Sequence, residues 1–269
     1  LDNSRLIDSF SAKGVDSAFS SPEEGHGTMC AVSAVGNTED GAPVNGVAKD
    51  ADFLLARLTD KDGALSKVEE AWDWLVQKAN ELDRPIISSH SYGIPLCSGR
   101  QMNMCESTQT KVVRAANKRT DHQSLHAAGN EGLYCGHRLA GMTNGIMGTN
   151  SDPSTITVGA LRMDIPDAQP YSSHGWGTCS GLDKNPKPDV SAAIPKLLPY
   201  GCDVKDMSSP SGGSSGGTSE ATPLVAGAAA LIASETGEAR RGDIEDILEN
   251  TAKSPRKTQI NQVLGYDAR

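Results

Sequence analysis

Apolar positions along the chain fall into short runs of two kinds, and their alternation is the first structural signal. Residues 51–58, 85–91, 123–130, 155–160 and 187–192 are compact stretches rich in β-branched and small apolar residues, bounded by Gly, Asp, Asn or Pro. That is the profile of buried strands. Between them lie stretches with helical spacing. From Ser66 onward, Val68, Trp72, Leu75, Val76 and Ala79 mark one apolar face, with Ser66 and Glu69 at capping-box spacing. Residues 106–119 form a second amphipathic helix. Met29 to Val35 read as a short buried helix stopped by Gly36-Asn37, and Leu224, Val225, Ala228, Leu231 and Ile232 as a long one. Residues 1–21 are polar and irregular, with Leu6-Ile7 as their one apolar patch. Strand and helix alternate, which predicts βαβ units and a parallel sheet, an α/β fold. Sites in such sheets collect at the carboxyl ends of strands, where Ser91-Tyr92-Gly93 and Gly129-Asn130 fall.

Composition narrows the class. With 269 residues, the chain can bury a sizeable core. The Ser/Gly run over 208–217 passes directly into a helix rather than a new unit, so one domain over residues 1–269 is expected. The 28 glycines against three Phe and three Trp favour close backbone packing over an aromatic core. A net charge of −9, with no Lys/Arg cluster beyond a pair, argues against nucleic acid as a partner. No apolar run approaches the ~20 residues of a membrane span. Six cysteines without a C-x-x-C pair argue against zinc. Their even number in a Gly- and Ser-rich acidic chain suits a secreted protein with disulfides, the alternative being reduced thiols in a cytosolic enzyme. A start at Leu1 without Met fits a piece of a longer precursor.

Three places carry candidate chemistry. Glycines lead into Ser219 at a helix start, where a hydroxyl meets the positive end of the helix dipole and N–H groups the helix has not used. Such a serine is either an N-cap or a nucleophile that must tolerate an oxyanion. His26 has glycine on both sides, which lets another backbone or a ligand approach its ring, whereas His90, His122, His137 and His174 read as structural. Asn130 follows Gly129 and is either a left-handed turn residue or an amide donor. A phosphate-binding reading of the Gly-rich loop lacks both the P-loop pattern and a lysine near Ser219.

His26 within Gly25-His26-Gly27-Thr28, Asn130 within Ala127-Ala128-Gly129-Asn130-Glu131-Gly132 and Ser219 within Gly217-Thr218-Ser219-Glu220-Ala221-Thr222-Pro223 occur in that order. With Gly46-Val47-Ala48, Ser91-Tyr92-Gly93, Thr157-Val158-Gly159-Ala160 and Lys187-Pro188-Asp189-Val190 as further landmarks, residues 20–250 resemble a subtilisin-like serine protease, the subtilase family. The resemblance implies a three-layer α/β sandwich around a mostly parallel sheet, and a serine endopeptidase. In it Ser219 attacks the scissile carbonyl, His26 acts as general base and then acid, and Asn130 joins the Ser219 N–H in the oxyanion hole. Ser91, Tyr92 and Gly93, with Ala127, Ala128 and Gly129, would pair with substrate backbone. No cofactor is required, while family habit makes structural calcium an expectation without named ligands. Implied partners are protein or peptide substrates and a propeptide or inhibitor, with neither nucleic acid nor membrane. Cys30, one helical turn from His26, resembles the buried free cysteine of the proteinase K subgroup. Cys179 with Cys202 is the favoured bridge.

The family's third triad member, an aspartate on an apolar strand followed by Ser or Thr and Gly, has no match here. Asp8 is the nearest candidate, but Phe10 stands in the glycine position; Asp2 and Asp16 have no strand at all. A domain truncated at both ends is therefore expected. The acid lies upstream of Leu1, comes from another peptide, or is missing from a binding or regulatory module that kept the fold.

Overall fold

The computed structural model describes residues 3–12, 14, 25–42, 44–60, 62, 64–93, 104–132, 146, 148–162, 167–176, 179, 186–194 and 217–253. The glycine run over 211–216, most of the loop 133–148, His137, Asp2, Asp16, Cys202 and residues 264–267 lie outside that set.

Six strands run parallel in two ladders. The first joins β1 (Leu6–Ser11) to β2 (Phe53–Arg57). The second has the order β3 (Ile86–His90), β4 (His122–Ala127), β5 (Ile156–Leu161) and β8 (Val190–Ala193). Its register aligns His90 with His126, Ala127 with Val158 and Val158 with Val190, so the strand ends bearing the expected motifs come level. A small antiparallel pair, β6 (Gly175–Trp176) and β7 (Pro186–Lys187), lies before β8. Among the described residues β2 and β3 each pair on one side only, and each keeps an open edge.

Helices cover both faces of the larger ladder, giving a three-layer α/β sandwich. On one side, α4 (Thr218–Thr236) and α5 (Arg241–Thr251) press Ala221, Val225, Ala226, Ala229 and Ile244 onto Leu125, Ile156, Val158 and Ala160. Alanine dominates that face of α4, which lets the helix lie close to the strands. On the other side, α2 (Val68–Leu82) and α3 (Thr108–Ala116) bring Trp72, Leu75, Val113 and Ala116 together. Strand β4 is buried along its whole length, so its alternating side chains serve both layers. Leu125 joins the apolar side. His122, Ser124 and His126 join Trp72, which stacks on His90 at 4.5 Å between ring centroids and meets His122 edge-on. Helix α1 (Gly25–Val35) packs beside α4.

Three expectations need correction. Residues 6–11 form a strand rather than irregular chain, because parallel pairing with β2 supplies the backbone bonds that a half-polar segment could not find alone. The capping box does not form. Lys67, in the left-handed region, is the N-cap of α2 without a side-chain bond, and the Ser66 hydroxyl is buried without a partner. Cys179 bridges Cys105, not Cys202, their Cα atoms standing 5.1 Å apart. This ties the entrance of α3 to the turn after β6. Helix α5 had no sequence expectation, since its charged face and Gly242 in the first turn hide its pattern.

Candidate active site

Residue 223 explains how Ser219 is held. In a helix the carbonyl of Ser219 would accept from the N–H four residues on, but that residue is Pro223, which has none. Two side chains from elsewhere in the fold take the orphaned carbonyl. Ser91 Oγ, just past β3, donates at 2.8 Å, and Cys30 Sγ, on α1, at 3.3 Å. The start of α4 is thus fastened to the end of β3 and to α1. Cys30 is a free thiol, and burial pushes it up to about 11, so at neutral pH it is a neutral donor.

His26 lies in the first turn of α1, four residues before Cys30 and so on the same face. The bond from Cys30 to Ser219 therefore brings that face of α1 against the start of α4. By surface area the His26 ring is exposed, yet enough protein surrounds it for burial to lower its pKa below the usual 6.5. The ring is thus open to solvent and still partly desolvated. At neutral pH the ring is uncharged, the form a general base needs.

Asn130 has a fixed orientation. Its Oδ1 accepts from the Thr218 backbone N–H at 2.9 Å and from Thr218 Oγ1 at 3.2 Å. A backbone N–H can only donate, so the atom facing it must be the oxygen, and the Nδ2 donors are turned away from Thr218. Thr218 Oγ1 also accepts from Gly129 N at 3.0 Å, which links the end of β4 to the start of α4. Two glycines make the fit. Gly129 has φ +106°, and a Cβ there would stand 2.5 Å from Glu131 Oε2. Gly217, at φ +150°, passes Asn130 so closely that a Cβ would lie 3.1 Å from Nδ2.

The two expected edge segments lie side by side. Asn150 joins them, its Nδ2 donating to the carbonyls of Tyr92 (3.0 Å) and Ala127 (2.8 Å). Gly93 is exposed and Ser91 and Tyr92 half-buried, whereas Ala127 and Ala128 are buried. The Ala128 N–H is committed to Val158 O. Sequence reasoning missed Asn150, Thr218 and the anchoring role of Pro223; only the last had a readable signal, a proline four residues after the candidate serine.

Asp8 is not brought to His26. Its carboxylate pairs with Lys78 of α2 at 2.8 Å and accepts from Ser9 N, and chiefly the Lys78 bond holds it below the usual carboxylate range. Burial is the sole cause of the His26 shift, so among the described residues no carboxylate supports that ring. For metals, the one described trio of acids able to share an ion is Asp189, Glu245 and Glu249. Lys187 already bonds Asp189 at 2.6 Å, and Arg241 pairs with Glu245, so cations of the chain itself compensate this trio.

The sequence profile described as the subtilase family matches residues 5–266, and the chain belongs to that family. It is 32% identical over 232 residues to subtilisin E of Bacillus subtilis (strain 168), a match covering 84% of this chain and 50% of that protein. The chain thus spans about half the length of the curated relatives it matches. Among solved structures it resembles a cold adapted subtilisin-like serine proteinase, with TM-score 0.59 and 20% identity over 95% of this chain and 85% of the other. A psychrophilic protease gives TM-score 0.66 and 23% identity over 92% and 82%.

Proposed function

We propose that this chain is the catalytic part of a serine endopeptidase that cleaves peptide bonds through an acyl-enzyme on Ser219. The observation that carries the reading is the anchoring of Ser219 by Cys30, one turn beyond His26, while Thr218 turns the Asn130 amide outward. His26, neutral at physiological pH, takes the Ser219 proton as the hydroxyl attacks, then returns it to the leaving amine. The oxyanion forms near the Ser219 N–H, in the first turn of α4, and the free Nδ2 donors of Asn130 complete its hole. Exposed Gly93 offers an edge along which a protein or peptide substrate extends, whereas at Ala127–Gly129 the Ala127 carbonyl and the Ala128 and Gly129 N–H groups are already bonded within the fold. A propeptide or inhibitor would use the same edge. No cofactor takes part in these steps, and structural calcium remains an expectation from family habit. The Cys105–Cys179 bridge supports an oxidising, extracellular setting. Among the described residues no helix is long and apolar enough to cross a membrane.

One observation favours a second reading, a subtilase domain with impaired catalysis that binds or regulates: Asp8 is engaged by Lys78 and no described carboxylate holds His26. In the first reading the acid arrives on a segment that pairs with the open edge of β2 or β3. A fluorophosphonate reagent separates the two. The endopeptidase reading expects covalent labelling of Ser219 that is lost in Ser219→Ala and strongly slowed in His26→Ala. Labelling of wild type no faster than His26→Ala would favour the impaired module.

A further inference from the structure

Glu220 follows Ser219 directly and has no evident structural task. Its side chain is fully buried, and among the described residues both carboxyl oxygens lack a hydrogen-bond partner. A glutamate in the first turn of a helix can reach back to the N-cap N–H. Glu220 does not, although its own N–H closes the turn onto Gly217 O at 3.0 Å. Next to it in α4, Ala221 belongs to the sandwich core, and Tyr171, which feels its charge, packs against that core. The titratable groups that feel its charge are Cys30 of α1 and Tyr171 of the segment before β6. Burial pushes both of these up, so both are neutral near pH 7. No charged group from β3, β4, β5, β8 or α5, which also pack on α4, acts on it, and burial alone raises its carboxyl to about 7. An acid left without a partner, one residue from a candidate nucleophile, asks what it does there.

We propose that Glu220 is a positioning residue that sets the potential at Ser219 and permits reaction only as the neutral acid. This rests on the endopeptidase reading. Protonated, Glu220 leaves the start of α4 uncharged, so the helix dipole and free N–H groups act fully on an oxyanion at Ser219. Ionised, it adds a buried negative charge one residue from Ser219, and opposes an oxyanion there through a medium of low dielectric. Two groups therefore bound the active range. His26, lowered by burial, must lose its proton and sets the acid limb below pH 6.5. Glu220 must keep its proton and sets the alkaline limb near pH 7.

The test is the second-order rate of inactivation by diisopropyl fluorophosphate from pH 5 to 9, for wild type, Glu220→Gln, Glu220→Leu and Ser219→Ala. Wild type should give a bell-shaped profile. Glu220→Gln should match it near pH 6, exceed it at least tenfold at pH 9, and keep the acid limb unchanged. Glu220→Leu fills the same apolar space without a charge and should lose the alkaline limb too, which covers the case in which the amide does not fold. If wild type and both variants react with parallel profiles, this proposal fails while the endopeptidase reading stands. If none reacts faster than Ser219→Ala at any pH, that reading fails and takes the proposal with it.

Discussion

Two of the regions in which polar side chains are buried use burial in opposite ways. Between the β3–β4 layer and helices α2 and α3, the rings of His90, His122 and His126 gather around Trp72, with His90 and His126 stacked at 4.6 Å. Ser88 Oγ bonds both His90 and His122, and Ser124 Oγ meets His126 and Asn117, while Nδ1 of His122 and of His126 is buried without a partner among the described residues. At the carboxyl ends of the strands, His26, Ser219, Cys30 and Glu220 share the junction of α1 and α4. There the ring stays within reach of solvent, and the acid has no partner. Burial lowers the histidines in both regions. In the first it makes neutral packing material; in the second it leaves an exposed ring neutral, in the form the proposed base requires. What separates structural from chemical histidine here is access and the neighbour, not the shift.

The contrast breaks most sharply at His26. His26→Ala should slow fluorophosphonate labelling of Ser219 by about 10²–10⁴-fold, the usual contribution of a positioned base. It should leave thermal unfolding nearly unchanged, since the exposed ring supports little packing. Asn130→Ala comes next, with an expected loss of about 10²–10³, the range measured for removing such a donor from a subtilisin. Because the Asn130 oxygen also accepts from Thr218, Asn130→Asp keeps that acceptor, replaces the outward donors by a negative charge, and should slow labelling at least as much as Asn130→Ala. If Asn130→Asp labels as fast as wild type, the outward amide has no part in the reaction.

The buried cluster should respond through stability instead. The unfolded histidines titrate near 6.5, whereas His122 is lowered to about 4, His126 to about 3, and His90 also well below the usual value. As pH falls below 6.5 the unfolded chain takes protons that the folded cluster refuses, so stability is lost from there down to the folded values. Each unit of separation is worth about 1.4 kcal/mol, which makes the loss several kcal/mol. Calorimetry between pH 7 and 4 should show the melting temperature falling steeply. His122→Gln, which cannot titrate, should flatten part of that slope without altering the labelling rate at pH 7. An unchanged slope in His122→Gln would mean that the ring is not held neutral.

Much of this was legible in the sequence, for physical reasons that differ from place to place. Strands β2, β3, β4, β5 and β8 and the helix after Ser219 announce themselves because their residues satisfy one period and one burial. The motifs around His26, Asn130 and Ser219 stand out in the chain because each sets one polar residue among glycines that admit close backbone. The histidine layer was visible only as strand residues. Alternation places His122, Ser124 and His126 on one face, but nothing in the chain says that Trp72 will cover them. Strand β1 escaped notice because Asp8, Ser9 and Ser11 break its apolar pattern, and its pairing with β2 spans more than forty residues of chain. The Cys105–Cys179 bridge escaped as well, since cysteine spacing cannot give connectivity.

Asp8 gives the smallest expected effect and the cleanest statement of what is missing at His26. Asp8 lies on β1, and its carboxylate turns to Lys78 at the surface. Lys78 also pairs with Glu81 at 2.7 Å, so losing Asp8 leaves the ammonium a second partner. An exposed ion pair of this kind adds little to stability. Asp8→Asn should therefore leave both the melting temperature and the labelling of Ser219 close to wild type. An aspartate that steadied His26 would behave otherwise: replacing it strands the ring in the wrong tautomer and costs about 10⁴ in turnover in a serine protease triad. A loss of that size in Asp8→Asn would show that β1 moves to deliver its carboxylate to His26. With no such loss, the acid for His26, if the site has one, comes from outside the described residues, and the open edges of β2 and β3 are where the fold could receive the strand that carries it.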